Sequence, residues 1–117
     1  MTNSYRKNHD VAELENDYRL GLIAREHSKE KALENHISDE SLLSESLVKR
    51  LNNAMIDQRK AGENIALDYV DPIEAVHGWL NSPAHRKVLL DKDYTHFGTG
   101  VYGNVYTQSL IWMTGED

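Results

Sequence analysis

The sequence predicts an α+β domain, or a three-layer α/β/α domain, with helices around a small antiparallel sheet. Three observations carry this prediction: helical spacing through the first half, two consecutive helix-start signals in the middle, and an alternating hairpin pattern at the end. Pro occurs only at positions 72 and 83, and most of the Gly lies after residue 60. A length of 117 residues suits one domain with one core.

The first half of the chain predicts three helices. A short helix is expected from Asn3 to His9 and a third from Ser44 to Met55, the latter carried by Leu47, Val48 and Leu51. Between them, the segment from Leu14 to about Asn35 has one apolar face at i, i+3, i+4 and i+7. That face consists of Leu20, Ile23, Ala24 and His27.

The middle of the chain predicts a pair of helices. Asp71 can be an N-cap, Pro72 fits the first helical position, and Glu74 can close a capping box. The predicted apolar stripe of this helix consists of Ile73, Val76, His77 and Leu80. Ser82-Pro83 repeats the start signal, so the chain must turn sharply between the two helices.

The tail predicts a β-hairpin around the two-residue turn Gly103-Asn104. Pairing Tyr102 with Val105 brings Thr99 opposite Gln108, and Phe97 opposite Leu110 follows from the same register. One face of this hairpin, the expected core face, then carries Phe97, Val101, Tyr106, Leu110 and Trp112. Residues 63–67 are a candidate for another short strand.

Composition excludes several classes of protein. Thirteen basic against nineteen acidic residues give a net charge of −6. This acidic balance without a Lys/Arg cluster argues against nucleic-acid binding. The absence of Cys excludes a disulfide scaffold, a Cys nucleophile and a thiolate zinc site. No apolar run is long enough for a membrane span, and no signal peptide is recognisable.

Polar side chains that could converge on a site are Asp39, Glu63, His85 and His96, with His27, His36 and His77 in addition. Imidazole and carboxylate groups can bind a metal ion or act as general acid and base. His85 stands near the start of a helix, where the dipole favours a neutral ring. The competing interpretation of His27 and His77 is that they pack in the core. The competing interpretation of Glu63 is that it is exposed at the surface. No HExxH, phosphate loop or GxSxG motif is present.

Four motifs along the chain resemble a known family. They are Ala61-Gly62-Glu63-Asn64-Ile65-Ala66, Gly78-Trp79-Leu80-Asn81-Ser82-Pro83-Ala84-His85-Arg86, Tyr94-Thr95-His96-Phe97-Gly98-Thr99-Gly100 and Tyr106-Thr107-Gln108. Together they look like the bacterial branch of the CAP superfamily, which has the SCP domain. The resemblance implies an α/β/α sandwich and a single CAP domain over residues 1–117. The start of the chain, almost inside the first helix, leads us to expect a domain cut from a longer protein.

The resemblance also implies a polar cleft. Members often carry two His and two acidic residues there, which in some of them bind a divalent metal ion. Glu63 matches the family's GEN motif and His85 its SPxHR motif, while Asp39 stands where bacterial members usually have His. Asn64 and His96 are expected as further cleft residues. A site of Asp39, Glu63 and His85 would suit Ca²⁺, Mg²⁺ or Mn²⁺ better than Zn²⁺; the favoured alternative is a cleft that binds metal weakly or not at all.

Three functions follow as hypotheses, and the resemblance leaves open whether the protein is an enzyme. The first is a non-catalytic binding module outside the cell or in the cell envelope, with a cell-wall, lipid, peptide or protein ligand. The alternative is a metal-assisted hydrolase with Glu63 as general base, His85 as ligand or acid and Asp39 as ligand. A third, weaker hypothesis is a regulatory domain that contacts another region of its own longer chain.

Overall fold

The computed structural model describes residues 2–34, 40–67 and 72–115. Its helices are α1 (Thr2–Asn8), α2 (Tyr18–Glu34), α3 (Glu40–Asn53), α4 (Pro72–Leu80) and α5 (Pro83–Leu89). Its strands are β1 (Glu15–Asn16), β2 (Gln58–Leu67), β3 (His96–Tyr102) and β4 (Val105–Met113). Within these ranges no helix is both long and apolar enough to cross a membrane.

The strands form one sheet in the order β1-β3-β4-β2. Strands β3 and β4 make the predicted hairpin, with Tyr102 opposite Val105 and Thr99 opposite Gln108. Strand β2 pairs antiparallel with the other side of β4, and the two-residue β1 runs parallel to β3. These pairs confirm the predicted register of the hairpin. A two-residue turn leaves little freedom in the strand pairing that follows it.

Helices cover both faces of the sheet, which makes the fold a three-layer α/β/α sandwich. On one face α2 and α3 bury Leu20, Leu47 and Leu51 against Ile111 of β4. On the other face the helix pair α4 and α5 packs Trp79 and Leu89 against the sheet, and α1 lies on the same side. With both faces covered, β4 reads as a nearly continuous buried strand rather than an alternating one.

The helices lie close to their predicted positions, with two boundaries corrected. The third helix was expected from Ser44, but α3 begins four residues earlier, at Glu40. We expected the second helix from Leu14, but α2 begins at Tyr18 because Glu15 and Asn16 pair with β3. The backbone of Leu14 is also held by Asn3, whose amide donates to Leu14 O at 2.9 Å and accepts from Leu14 N at 2.7 Å. The sharp turn before α5 is confirmed by the extended backbone of Ser82.

Three predicted apolar faces need correction. In α3, Leu47 and Leu51 are buried as expected, but Val48 is 39% exposed. In α4 the buried side chains are Ala75, Val76 and Trp79, whereas Ile73 and His77 are exposed. The side of α4 that carries Ala75 and the indole of Trp79 therefore packs against the sheet. His77 lies on the exposed side and does not pack in the core. Val101, expected in the core, is 37% exposed because it lies two residues from the hairpin turn. Asp71, the predicted N-cap, lies outside the described residues.

Trp79 anchors α4, and we expect its replacement to destabilise the domain strongly. The side chain is buried as the sequence predicted, and its indole N–H donates to Ile65 O at 3.1 Å. Trp79→Ala should lower the free energy of unfolding by about 3–5 kcal/mol, measured by urea denaturation. Ile73→Ala, on the exposed side of the same helix, should change it by no more than about 0.5 kcal/mol. A melting temperature of Trp79→Ala within a degree or two of wild type would contradict this packing.

Candidate functional site

Glu63 lies at the centre of a buried polar cluster on the face covered by α2 and α3. Its side chain is 1% exposed. Arg50 of α3 points its Nη2 at the carboxylate, 3.0 Å from Oε1 and 3.3 Å from Oε2. Ser109, opposite Glu63 in the sheet, donates its hydroxyl to Oε2 at 2.9 Å. The carboxylate is thus neutralised and hydrogen-bonded within the protein.

His27 of α2 completes this cluster. Its Nε2 lies 3.4 Å from Glu63 Oε1, and its side chain is 1% exposed. Burial lowers the pKa of His27 to about 3, with further contributions from the positive charges of Arg50 and Lys31. The ring is therefore neutral, and neither ring nitrogen has a hydrogen-bond partner among the described residues.

The electrostatics of Glu63 reflect two opposing effects. Burial raises the pKa of its carboxyl group, and this effect outweighs the charge of Arg50 and the hydrogen bonds from Arg50 and Ser109, which lower the pKa. A cation beside a carboxylate this far from solvent favours the charged form of the carboxylate. Arg50 is the cation in contact with Glu63, and Lys31 adds a second positive charge nearby. His27, Arg50, Glu63 and Ser109 are called here the Glu63 cluster.

The structure does not bring His85 to Glu63. Side chains alternate along β2, so Asn64 points to the opposite face from Glu63. There its amide donates to the backbone oxygen of His85 at 3.1 Å, while the His85 ring contacts Ser82 Oγ at 2.9 Å. The expected cleft that combines Glu63 with His85 is therefore not formed, because the sheet separates the two side chains.

The other predicted site residues are also apart from this cluster or undescribed. His96 is buried on β3, with its Nε2 2.9 Å from Glu15 Oε2 and its Nδ1 2.7 Å from Thr95 Oγ1. These contacts account for both ring nitrogens within the protein. Asp39 and His36 lie outside the described residues.

A divalent metal ion, which the family resemblance implies, does not fit the Glu63 cluster. The two orphaned nitrogens of His27 are suitable ligands, but both Glu63 oxygens already face Arg50. A guanidinium and a divalent ion about 4 Å apart would repel by about 8 kcal/mol at an effective dielectric constant of 20. Within residues 2–34, 40–67 and 72–115, no three His, Asp or Glu side chains are grouped to hold a metal ion.

An apolar pocket opens on the other face of the sheet, between α1, α4 and the hairpin. Its volume is about 330 Å³, which is at the small end for ligand sites. Aromatic walls surround a few polar groups, including the buried amide of Gln108, which donates to the hydroxyl groups of Thr2 and Thr99 at 3.2 Å. The lining side chains include Ile73, Val76, Trp79, Phe97, Tyr106 and Gln108.

Sequence reasoning missed Arg50, Ser109 and this pocket. Arg50 is three residues after Leu47, next to the apolar stripe of its helix, where a charged group needs a partner. The predicted hairpin register also placed Ser109 and Ile111 on the same face of β4. Those two signals, combined with the buried strand β2, could have indicated an ion pair beneath α3.

The lowered pKa of His27 makes stability depend on pH. In the unfolded chain His27 takes up a proton near pH 6.5, but in the folded protein only near pH 3. Between these values the unfolded state binds more protons, so stability falls as the pH falls. From pH 7 to pH 5 the contribution of His27 should decrease by about 2 kcal/mol.

Urea denaturation at pH 7 and pH 5 checks this expectation. His27→Gln should flatten the loss of stability that wild type has over this range. His77→Gln, which alters an exposed His on α4, should leave the loss unchanged. If the free energy of unfolding falls as much in His27→Gln as in wild type between pH 7 and pH 5, His27 already carries a proton in the folded protein.

Comparison with known proteins identifies the family. The model of the cysteine-rich secretory protein (CAP) family matches residues 1–115. An uncharacterized membrane protein of Bacillus subtilis, YlbC, is 46% identical over 111 residues, which cover 95% of this chain and 32% of YlbC.

Solved structures agree with this match. An extracellular protein with a SCP domain from Bacillus anthracis superposes with a TM-score of 0.87 at 39% identity, over 94% of this chain and 37% of that one. An outer surface protein from Borrelia burgdorferi has a TM-score of 0.83 at 20% identity, over 97% of this chain and 87% of that one, and shares the fold. The chain spans about a third of the length of the two Bacillus proteins. It belongs to the cysteine-rich secretory protein (CAP) family.

Proposed function

We propose that this CAP domain is a non-catalytic binding module of the bacterial cell surface, which accepts an apolar group in the pocket between α1 and α4. The single observation that carries the proposal is the pocket itself, an aromatic-walled cavity of about 330 Å³. Its size suits a short acyl chain or an apolar peptide side chain, and its few polar groups can orient what enters.

The Glu63 cluster supports binding rather than catalysis. A general base must reach the substrate proton directly or through one water molecule. The Glu63 side chain is 1% exposed and is paired with Arg50 and Ser109. The hydrolase alternative further requires Glu63 and His85 to act together, and they lie on opposite faces of the sheet.

The pocket can be tested with a simple apolar ligand. We expect decanoate to bind saturably to the wild-type protein and to change the fluorescence of Trp79, which lines the pocket. Ile73→Asp places a charge at the pocket, where the native side chain is 54% exposed, and should weaken binding at least tenfold.

Leu22→Asp is the matched control. Leu22 is 49% exposed on α2, on the opposite face of the sheet, so the same change of chemistry should leave binding intact. Equal binding by wild type and Ile73→Asp would reject the pocket. Peptide or ester hydrolysis by wild type that disappears in a folded Glu63→Gln variant would support the hydrolase instead.

The relatives support the proposed location of the module at the cell surface. The Bacillus anthracis protein is described as extracellular, and YlbC as a membrane protein. Since both are about three times as long as the matched region, we propose that this domain is part of a longer surface protein. Proteinase treatment of intact cells, followed by detection of the domain, tests this location.

A further inference from the structure

We propose that Arg50 is the built-in cation of the Glu63 cluster, and that its side chain replaces a divalent metal ion and keeps metal ions out. The proposal rests on three features of one cluster: the ion pair, the unpartnered imidazole and the balance of charge. It concerns the face of the sheet opposite the apolar pocket and is independent of the proposed binding function.

The first feature is the position of the guanidinium. Arg50 Nη2 lies within 3.3 Å of both oxygens of Glu63, where a cation bound by this carboxylate would lie. The Arg50 side chain is only 18% exposed, so solvent screens the pair weakly.

The second feature is a pair of ligand atoms that Arg50 leaves unused. His27 Nε2 lies 3.4 Å from Glu63 Oε1. Two ligands of a tetrahedral zinc ion, each 2.0–2.2 Å from the metal, are separated by about 3.4 Å. The two ring nitrogens of His27 have no hydrogen-bond partner in the part of the chain that the structure describes. A carboxylate and an imidazole are thus already placed as two ligands of a zinc ion, and water would supply the other ligands.

The third feature is charge. The described charges that act on this site are the carboxylate of Glu63 and the positive charges of Arg50 and Lys31, so a divalent ion would add two further positive charges to a buried site that has no excess of negative charge. Without Arg50 the carboxylate of Glu63 loses the cation that is hydrogen-bonded to it, and a volume beside the carboxylate is left unfilled. Removal of the Arg50 side chain should therefore allow the Glu63 cluster, which excludes metal ions in wild type, to bind zinc.

Calorimetric titration with Zn²⁺ and with Mn²⁺ tests the proposal. Wild type should show no binding that depends on Glu63, so wild type and Glu63→Gln should give the same titration. Arg50→Ala should bind Zn²⁺ at least 100-fold more tightly than wild type, and Arg50→Ala with Glu63→Gln should lose this site. Binding should shift the His27 ring signals in NMR spectra.

Two control variants distinguish the loss of the positive charge at position 50 from the loss of an arginine elsewhere. Arg50→Lys keeps the cation and should bind no zinc at Glu63, whereas Arg19→Ala removes an exposed arginine of α2 and should behave as wild type. Metal binding by wild type that is lost in Glu63→Gln would overturn the proposal even if Arg50→Ala does not fold. A folded Arg50→Ala protein without zinc binding would overturn it as well.

Discussion

Replacement of Gly100 by alanine is expected to prevent stable folding. Gly100 lies on β3 where helix α2 crosses the sheet, and an added Cβ would overlap the backbone of Ala24 and Arg25. Neither a helix backbone nor a central strand can move aside as a flexible side chain can. We expect a loss of at least about 4 kcal/mol in the free energy of unfolding, which is exceptional for one methyl group.

Gly103 provides the control for Gly100. It has a φ of +59° in the hairpin turn, and an added Cβ would contact nothing within 4 Å. Gly103→Ala should therefore cost only the left-handed backbone conformation, about 1–2 kcal/mol. Circular dichroism and urea denaturation of the two variants make the comparison. Equal stability of Gly100→Ala and Gly103→Ala would show that α2 does not lie against the strand as described.

Loss of Arg6 is expected to have the second largest effect. This side chain is fully buried, and burial lowers the pKa of its guanidinium. It donates to the backbone oxygens of Ala12 at 2.8 Å, Leu89 at 2.8 Å, Asp91 at 3.0 Å and Tyr94 at 3.4 Å. One side chain thus ties α1 to the end of α5 and to the segment before β3.

Arg6→Met keeps much of the apolar stem and removes every donor. Each buried carbonyl left without a partner costs about 1–3 kcal/mol, so we expect a total loss of about 4 kcal/mol or more. Lys7→Met, at the exposed neighbouring position, should stay within about 0.5 kcal/mol of wild type. Urea denaturation measures both, and similar midpoints for Arg6→Met and Lys7→Met would contradict the role of Arg6.

The sequence was most informative where local chemistry fixes geometry. The turn at Gly103-Asn104 determines the register of β3 and β4, and Pro83 determines where α5 begins. Strand β1 could not be predicted, because two residues are too few to alternate and their pairing depends on β3, about 80 positions away. The family motifs, matched over nearly the whole chain, predicted the three-layer fold.

The candidate site was predicted less well, for a physical reason. Glu63 and Asn64 were both expected in one cleft, yet neighbours in a strand point to opposite faces. The GEN motif identifies Glu63 but not its partner, because the position of Arg50 depends on how α3 packs over the sheet. Glu63 and His85 lie on opposite faces of the sheet, whereas Asp39 lies outside the described residues, so only the role of Asp39 as a metal ligand stays a prediction.

The partners of Arg6 have a consequence for the order of folding. Leu89, Asp91 and Tyr94 follow Arg6 by 83 to 88 positions, and Thr2 bonds Gln108, which lies 106 positions further on. A chain that emerges from the ribosome therefore exposes α1 long before anything exists for it to dock on. Such non-local contacts form slowly and late. We expect protease protection of α1 to arise only after β4 has been released, so pulse proteolysis of stalled nascent chains should find the first helix accessible until then.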